Sequence, residues 1–410
     1  MRSKRLISAA LAAAMVVSGM SAVPAMAVGN TAYNSVYGIS SGSRLTTTSK
    51  TGNLLDSVIS SSGYSTAYTS RYAYKKLSSA EKKFYKQIFL AVKNLQPDIV
   101  VPENLSEASI ARVYTLVFNE EPELFWMPSS YKVFGTTMIL NYKTDNYMEI
   151  VEMQDEINDQ VSKLMAQANK YTDAYSKLKV FYDYLVLNND FELNESGYNS
   201  TIYSAFTSDE SLQCVGYAKA MQYLCDLSGI SSMVVTGYNS DGESHAWNIV
   251  NCGDGYYNID ATWGDPINNF GSDYIQYDYF LVPDSWITNK SHFNVNKKTI
   301  SGGSKIKLFA PPSCKSTKYN YFIKNKINYS KQTDAEKALK NQIKAAVKNK
   351  KSVVEIRVTS KSLFDKLTTT SYAKTLLKYA KSQSSNVKNI TRHVKNTTGT
   401  LVVHYDIVYK

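Results

Sequence analysis

The sequence lacks most of the features that mark a specialised class of protein. Its 410 residues contain only four cysteines, too few for a domain held together by a network of disulfides. It has no collagen-like glycine period, no long heptad array and no apolar run long enough for a membrane helix. HExxH, CxxC and glycine-rich phosphate-binding motifs are absent as well. These absences exclude fibrous proteins and membrane bundles, and they give no reason to expect a metal or a cofactor.

The composition indicates a globular protein with several domains. Hydrophobic residues make up 43% of the chain and charged residues 20%, as in ordinary globular proteins, and this length predicts two or three domains. The formal net charge is +11, and much of it lies in the lysine-rich C-terminal region. An anionic partner such as a cell-wall polymer would explain this charge, and so would a solvated surface with surplus lysine. No nucleic-acid-binding motif accompanies the charge, so no nucleic-acid partner is predicted.

The first 27 residues have the pattern of a signal peptide. Three basic residues precede a mostly apolar run over residues 6–20, and Ala25-Met26-Ala27 provides the small residues of a cleavage site. The apolar run is short for a bilayer span, which disfavours an uncleaved anchor and stable membrane insertion. We therefore predict a secreted, extracellular protein that begins near Val28, with the cell wall as a candidate location.

Composition and periodicity divide the rest of the chain. Residues 28–75 are predicted to be a linker, because they are rich in Ser, Thr, Gly and Tyr and poor in large aliphatic residues. Residues 76–146 and 325–410 are each predicted to form a small α/β module, because helical spacing alternates there with short β-rich runs. In the second module the predicted elements are strands at 353–358, 389–394 and 401–409 and a helical stretch at 361–381.

The two modules share a segment of similar sequence. Ala80–Asn94 and Ala335–Asn349 are identical at nine of fifteen aligned positions. In both modules a short strand, a second helical stretch and a final pair of strands follow this segment. The similarity indicates an internal repeat, although chance similarity between two helices rich in lysine and alanine is an equally good explanation.

The central domain, predicted over residues 147–312, contains the residues with chemical potential. Residues 149–187 are predicted to be helical, and a further helix is predicted over residues 215–227. Cys214 therefore lies at a helix start. The free backbone N–H groups and the positive dipole end found there favour a thiolate, and they can also receive the negative oxygen of an attacked carbonyl.

Three strands are predicted to follow this helix, at residues 232–238, 245–252 and 256–263. His245 opens the second strand and Asp260 lies late on the third. A two-residue turn between these strands places both side chains on one face, whereas a three-residue turn separates them unless a bulge intervenes. Cysteine, histidine and aspartate in this order are typical of a thiolate nucleophile paired with an imidazole that a carboxylate orients.

Three motifs around these residues resemble the bacterial transglutaminase-like superfamily, whose core is related to papain-like cysteine peptidases. They are QCVGYAKAMQYLCDLSGI around Cys214, SHAWNIV around His245 and YYNIDATWGDP around Asp260. The likeness extends over residues 149–309. It implies an α+β fold in which a helix carrying Cys214 packs on an antiparallel sheet carrying His245 and Asp260, with the two modules on either side. It also implies that these three residues form a catalytic triad for acyl transfer.

Several further residues have more than one interpretation. Tyr203, Gln213 and Trp263 are candidates for a second oxyanion donor, and His292 has a family counterpart but is expected to be structural. The other cysteines, Cys225, Cys252 and Cys314, are predicted to be buried thiols, and the last two could instead be paired in an oxidising compartment. Four aspartates match no calcium-loop spacing and are interpreted as solvated turns: Asp254, Asp265, Asp273 and Asp278.

The predicted function is that of a secreted thiol enzyme that acts on protein or peptide amides through a Cys214 thioester. A peptidase, an amidase and a protein-glutamine acyltransferase all fit this chemistry, and hydrolysis needs no second binding site. The alternative is a non-catalytic cell-wall or surface-binding protein that uses the same core as a scaffold.

Overall fold

The computed structural model describes residues 68–194, 196–207, 211–265, 274–288, 292–294, 299–301, 304–306, 309–393 and 399–410. The predicted signal peptide and most of the predicted linker lie outside these residues. The last part of the predicted linker is folded, and the prediction is wrong there. Residues Tyr68–Ser70 form a 3-10 helix and Tyr72–Lys76 form helix α1, and Ala73 is buried. Aromatic contacts of this tyrosine-rich segment with the next helix hold it against the domain.

The first module has a helix–strand–helix–hairpin topology. Its elements are α2 (Ser79–Lys93), β1 (Asp98–Val100), α3 (Glu107–Glu120), β2 (Lys132–Phe134) and β3 (Thr137–Ile139). The three strands pair antiparallel in the order β1-β3-β2. Helix α2 begins after Ser78, whose side chain accepts from the backbone of Glu81 while the Glu81 side chain bonds back to the Ser78 amide. This capping box fixes the start of the helix.

The last module has the same order of elements, with an extra edge strand before the first helix and two helices in place of the second. Its elements are β12 (Asn328–Tyr329), α10 (Gln332–Lys348), β13 (Val353–Val358), α11 (Lys361–Leu367), α12 (Thr370–Gln383), β14 (Val387–His393) and β15 (Val402–Tyr409). The sheet order is β12-β13-β15-β14. The predicted helical stretch at 361–381 is two helices, because the Thr369 hydroxyl accepts from the Tyr372 amide and so caps a new helix.

Hydrogen bonds at equivalent positions of the two modules support the internal repeat. The numbers of equivalent residues differ by 255, as they do in the similar helical segments. The Gln87 amide group donates to the Val100 carbonyl at 2.7 Å, and that of Gln342 donates to the Glu355 carbonyl at 2.8 Å. Both pairs join the first helix of a module to the strand that follows it. The sheet orders β1-β3-β2 and β13-β15-β14 also agree. Chance similarity between two helices would not reproduce contacts made outside the similar segment.

The end of the first helix is also the same in both modules. It is followed by a residue with left-handed backbone conformation, Leu95 (φ 52°) in one and Lys350 (φ 54°) in the other. A tyrosine near the end of the last strand then donates to two carbonyls around that turn. The two sets are Tyr142 to Ala91 (3.2 Å) and Gln96 (2.6 Å), and Tyr409 to Ala346 (3.2 Å) and Lys351 (2.8 Å).

The central domain packs helices against an antiparallel four-stranded sheet. Its helices are α4 (Tyr147–Ala168), α5 (Ala174–Asn188), α6 (Ile202–Phe206), α7 (Cys214–Leu227), α8 (Asp284–Ile287) and α9 (Tyr321–Lys324). Its sheet contains β6 (Ser232–Asn239), β7 (Ser244–Asn251), β8 (Tyr256–Ile259) and β9 (His292–Asn294) in the order β8-β7-β6-β9. Two short pairs complete it: β4 (Asp190–Phe191) with β5 (Ser211–Leu212), and β10 (Thr299–Ser301) with β11 (Ser304–Ile306).

The helix predicted at 149–187 is interrupted. Helix α4 ends at Ala168, and Asp173 begins α5 by accepting a hydrogen bond from the Ser176 amide. An aspartate cap competes with continuation of a helix, which the apolar spacing alone does not reveal. The break lets α4 and α5 pack against each other instead of forming one rod.

The two modules join the central domain in different ways. The first module contributes to a single hydrophobic core with the central helices, in which Phe84 and Ile88 belong to the same cluster as Leu178 and Leu224. The last module has a separate core of its own, built around Leu339, Ile343 and residues of its sheet. Among the helices of the described chain, none is both long and apolar enough to cross a membrane.

Candidate active site

Cys214 is the first residue of α7 and is almost fully buried. The residue before it, Gln213, makes no side-chain cap, because its amide group donates to the Leu193 carbonyl at 3.0 Å. In most helices of this protein a serine, threonine, asparagine or aspartate side chain occupies the first-turn N–H groups. At α7 the N-cap residue Gln213 does not do so, and the first-turn amides point towards the end of the helix where the thiol lies.

Helix α7 is held close to the chain beside it, and Gly216 makes this possible. A β-carbon at Gly216 would lie 2.4 Å from the Asn199 carbonyl oxygen and 2.8 Å from a methyl group of Leu212. The Asn199 carbonyl also accepts a hydrogen bond from the backbone N–H of Gln213 at 2.9 Å. Glycine is therefore required two residues after Cys214 so that the helix start can approach this backbone.

The register of β7 and β8 brings His245 and Asp260 to one side. Asn251 pairs with Tyr256 and Asn248 with Ile259, so the turn consists of Gly253 and Asp254, the two-residue alternative that places both side chains on one face. The third strand is shorter than predicted: β8 ends at Ile259, and Thr262–Gly264 form a 3-10 helix. Asp260 thus lies directly after the strand, where its side chain can turn towards His245.

His245 and Asp260 form a buried ion pair. The distance from His245 Nε2 to Asp260 Oδ2 is 2.7 Å, and both side chains are at most 5% exposed. Burial alone would lower the pKa of His245, but the charge and hydrogen bond of Asp260 outweigh it, and the Cys214 thiol adds a further hydrogen bond, so the pKa rises to about 10. Because Nε2 is used by Asp260, Nδ1 is the nitrogen left for the thiol. His245 also holds the pKa of Asp260 well below its usual range, against the opposing effect of burial.

A second histidine shares the same carboxylate oxygen. His292 Nε2 lies 2.8 Å from Asp260 Oδ2, and His292 is buried. Burial, aided by the positive charge of His245, lowers the pKa of His292 despite its bond to Asp260. His292 is therefore neutral and donates its Nε2 proton to the carboxylate. The sequence marked His292 as structural, and its contact with Asp260 could not be foreseen because β9 pairs with β6 from a distant part of the chain.

The backbone around Asp260 is held from several directions. The Trp263 amide donates to Asp260 Oδ1 at 3.2 Å, and the Asp260 amide donates to the Tyr279 carbonyl at 3.1 Å. The Tyr182 hydroxyl lies 3.2 Å from the Asp260 carbonyl and 2.7 Å from that of Gln276. A β-carbon at Gly264 would lie 2.2 Å from the Tyr182 hydroxyl, so only glycine leaves room for this contact.

Aromatic rings enclose the two histidines. Trp263 lies 5.4 Å from His245 and 4.7 Å from His292 between ring centroids, and Trp247 lies 4.9 Å from His292. Tyr279 completes the surround at 5.2 Å from His292. Rings in this arrangement keep water from the ion pair, which strengthens its electrostatic interaction. A hydrogen bond from the Asn248 amide group to the Ala218 carbonyl, 2.9 Å long, ties the strand of His245 to the helix of Cys214.

The remaining residues singled out from the sequence lie elsewhere or have other partners. The Tyr203 hydroxyl donates to Glu156, and Gln213 donates away from the thiol, which leaves Trp263 as the candidate oxyanion donor nearest to His245. All four cysteines are buried free thiols. Of the four aspartates, Asp273 lies outside the described residues, and each of the others has a separate hydrogen-bond partner: Tyr257 for Asp254, Tyr217 for Asp265 and His404 for Asp278.

A second buried group of ionisable residues joins the central domain to the last module. His404 Nε2 lies 2.8 Å from Asp278 Oδ1, and His404 Nδ1 lies 3.3 Å from Glu355 Oε2. The Tyr274 hydroxyl lies 2.8 Å from the same Glu355 oxygen. Both groups of histidines and carboxylates could bring ligand atoms to one metal ion. In both, however, the ligand atoms are hydrogen-bonded to one another, and this arrangement is complete as an ion-pair network.

Comparison with known proteins agrees with the geometry. Residues 162–261 match the Transglutaminase-like superfamily. The chain is 24% identical over 191 residues to the human kyphoscoliosis peptidase, an overlap of 42% of this chain and 28% of that protein, so it spans less than a third of this relative.

Two solved structures are also similar. One is a TGase, at 19% identity with a TM-score of 0.25, covering 35% of this chain and 45% of that chain. The other is the periplasmic domain of TgpA from Pseudomonas aeruginosa with bound ethylmercury, at 17% identity with a TM-score of 0.22, covering 26% and 44%. The predicted α+β fold is confirmed, and residues 162–261 of the central region match the model of a transglutaminase-like domain.

Proposed function

We propose that the protein is a thiol enzyme that breaks amide bonds in proteins or peptides, with Cys214 as nucleophile, His245 as acid and base, and Asp260 as the group that orients His245. The observation that carries the proposal is the buried chain of contacts from the Cys214 thiol through His245 to Asp260 Oδ2. Each member is held by a different element, so the arrangement depends on the whole central fold. This is the relation of nucleophile, base and orienting group that acyl transfer requires.

The reaction would proceed through a thioester. The Cys214 thiol gives its proton to His245, the sulfur attacks the carbonyl carbon of the amide, and the electron pair of the C=O bond moves to oxygen. When the tetrahedral intermediate collapses, the C–N bond breaks, and the leaving nitrogen takes a proton from the His245 imidazolium. Because the pKa of His245 is about 10, this proton is in place at neutral pH.

The start of α7 is suited to the negative oxygen of the intermediate. Its first-turn amides carry no side-chain cap, and the positive end of the helix dipole lies beside the sulfur. A water molecule, deprotonated by His245, then attacks the thioester carbonyl and releases the acid and the thiolate. If an amine replaces water at this step, the same site transfers the acyl group. Water requires no binding site of its own, and we therefore place hydrolysis first.

The test compares the protein with two variants, Cys214→Ala and Cys225→Ala. Cys225 lies on the same helix, is fully buried and has a pKa raised far above its usual value by burial, so it controls for the loss of a thiol from α7. Each protein is incubated with a peptide library and a primary amine, and the products are identified by mass spectrometry. We expect product formation in the native protein and in Cys225→Ala, and a loss of at least about 10³-fold in Cys214→Ala.

The products decide the class of reaction. Cleaved or deamidated peptides identify a hydrolase, and amine-coupled glutamines identify an acyltransferase. Full activity in Cys214→Ala would contradict the assignment of the nucleophile. An inactive native protein across the library would favour the scaffold alternative, in which the fold only binds.

We also propose that the enzyme acts outside the cytoplasm, on the basis of the signal-peptide pattern in residues 1–27. N-terminal sequencing of the exported protein should begin near Val28. A cell-associated protein that retains its first residues would contradict this part of the proposal.

A further inference from the structure

The last module presents two rows of lysine on its outer helices. Lys337, Lys340, Lys344 and Lys348 lie on α10, and at about 100° per residue they fall within an arc of about 80°. Buried residues of α10 such as Leu339, Ile343 and Ala346 lie on the opposite side. Lys374, Lys378 and Lys381 repeat the arrangement on α12, which packs beside α10. We call these seven residues the lysine face.

Little negative charge accompanies the lysine face. Residues 325–410 contain 18 lysines and arginines but five aspartates and glutamates. Of those five, Glu355 lies in the ion-pair network with His404, and Asp365 pairs with Lys361 at 2.7 Å. None of the ion pairs found within the described residues involves a lysine of the face. The other three are Asp406 and, at the start of α10, Asp334 and Glu336, so the charge of the face is partly offset at that end of the helix, while the module as a whole keeps 13 more basic than acidic residues.

The related first module shows that this fold does not need the charge. Residues 76–146 contain eight basic and eight acidic residues. At the positions equivalent to Lys340 and Lys344, α2 has Tyr85 and Phe89, which are buried under the segment that contains Tyr68. The same helix face is thus an interface in one copy and an open row of lysines in the other.

The chemistry of the face favours one class of partner. Lysine is a flexible point charge, whereas arginine recognises planar anions through its fork, and the seven positions contain no arginine. Among the described residues, no large hydrophobic residue of α10 or α12 is exposed, so the face has no group to insert into a bilayer. The half-buried ring of Tyr379 lies under Lys340, 5.9 Å from its Nζ, and so is not open for a base to stack on. Charge without either feature suits a flexible polymer of phosphates that carries no bases.

We propose that the lysine face binds a linear polyol-phosphate polymer of the kind found in cell walls, and so holds the enzyme beside its substrates. Binding is electrostatic and independent of Cys214. It follows the phosphate backbone and weakens as salt displaces the polymer.

The test uses two full-length variants with the same change in net charge. One replaces four lysines of the face with glutamine: Lys344, Lys348, Lys378 and Lys381. The control replaces four exposed lysines near the first module with glutamine: Lys75, Lys76, Lys83 and Lys86. Binding to fluorescently labelled poly(glycerol phosphate) is measured by polarisation between about 50 mM and 200 mM salt, a range over which phosphate contacts are strongly salt-dependent. Circular dichroism checks that both variants are folded.

We expect the lysine-face variant to bind at least 10-fold more weakly, with the slope of log affinity against log salt reduced by about 3, and the control to bind like the native protein. Cys214→Ala should also bind normally, which separates this result from the test of catalysis. Equal weakening in both variants would show that only total charge matters and would overturn the proposal. So would tighter binding to single-stranded DNA of equal charge, or binding to anionic vesicles without binding to the soluble polymer.

Discussion

The first and last modules have the same topology, but they use it differently. The first is merged into the hydrophobic core of the central domain, and a buried arginine, Arg71, reinforces this union by pairing with Glu121 at 3.0 Å and Asp226 at 3.1 Å. The last has its own core, although its Val402 belongs to the central core, and it also meets the central domain through polar contacts around His404 and a cation–π contact between Arg357 and Trp286, 3.5 Å apart. One copy shares the core of the central domain, while the other keeps a core of its own.

This difference separates what the fold requires from what was added to it. Both copies retain the glutamine link from helix to strand and the tyrosine contacts at the helix end, so these belong to the fold. Three features differ between the copies: the net charge, the segment that covers the first helix, and the side chains on the strand that follows it. The fold does not require these features, so we relate them to the different roles of the two copies. Glu355 illustrates the second category, because its equivalent in the first module is Val100.

The largest effect should come from a matched pair of core substitutions, Ile88→Ala and Ile343→Ala. Both isoleucines are fully buried, and they occupy equivalent positions in α2 and α10. Each change should cost about 2 to 5 kcal/mol of local stability. Because the first module shares its core with the central domain, Ile88→Ala should lower the unfolding temperature of the catalytic unit and reduce activity.

Ile343→Ala should instead destabilise the last module alone. Scanning calorimetry, with activity measured after each heating step, would resolve the two units. If Ile343→Ala lowers every transition and activity as much as Ile88→Ala does, the two modules are equally integrated and the comparison fails.

A smaller effect is expected from Glu355→Gln. This substitution removes a charge that the equivalent residue of the first module, Val100, does not carry. Burial raises the pKa of Glu355 to about 7, so the folded state binds its proton more tightly than the unfolded state does. The protonated Glu355 therefore contributes its full stabilisation below about pH 4.5. This contribution is lost as the pH rises towards 7, and the free energy of unfolding falls by up to about 3 kcal/mol. In the variant this loss should disappear.

Two neighbouring groups change stability in the same direction: Asp406 remains in the variant, and His404 keeps the part of its shift that comes from Asp278. Burial raises the pKa of Asp406 to about 6, and the charges of Asp278 and Glu355 raise that of His404 against the effect of burial. Tyr274 and Thr400 complete the surroundings of the network. The unfolding temperature of the last module, followed from about pH 5 to pH 8, should fall less steeply in Glu355→Gln than in the native protein. Identical slopes would show that Glu355 is not buried in the network.

The sequence predicted the parts of this molecule that depend on local pattern. The helix start at Cys214 follows from local spacing, and the structure has it. The length of the turn between the strands of His245 and Asp260 was left open by the sequence, and the structure shows the two-residue alternative. The family motifs supplied the expectation that the three residues meet. The break between α4 and α5 was missed because a single capping aspartate, Asp173, outweighs the apolar periodicity on either side.

Contacts between distant segments could not be predicted in the same way. His292 reaches Asp260 only because β9 pairs with β6, and Tyr182 reaches the backbone of Asp260 from a helix 78 residues earlier. Likewise, nothing in the composition of residues 68–75 shows that α2 provides a surface for them. The composition of this segment, rich in tyrosine and poor in aliphatic residues, predicts a linker. The segment folds nevertheless, because its tyrosine rings pack against one another and against a tyrosine of α2.

The smallest expected effect tests the repeat itself, through Tyr142→Phe and Tyr409→Phe. Each substitution removes a hydroxyl that donates to two carbonyls at the end of the first helix and keeps the ring that packs beside it. Each should cost about 1 kcal/mol, the usual worth of such hydrogen bonds, and the two losses should add in the double variant because the sites lie in different modules. Chemical unfolding followed in the separate transitions would measure both.

If the helix-end contact is a shared requirement of the fold, Tyr142→Phe lowers the stability of the catalytic unit, and Tyr409→Phe lowers that of the last module by a similar amount. A loss in one module and none in the other would mean that the two tyrosines arrived at the same geometry without the same structural need.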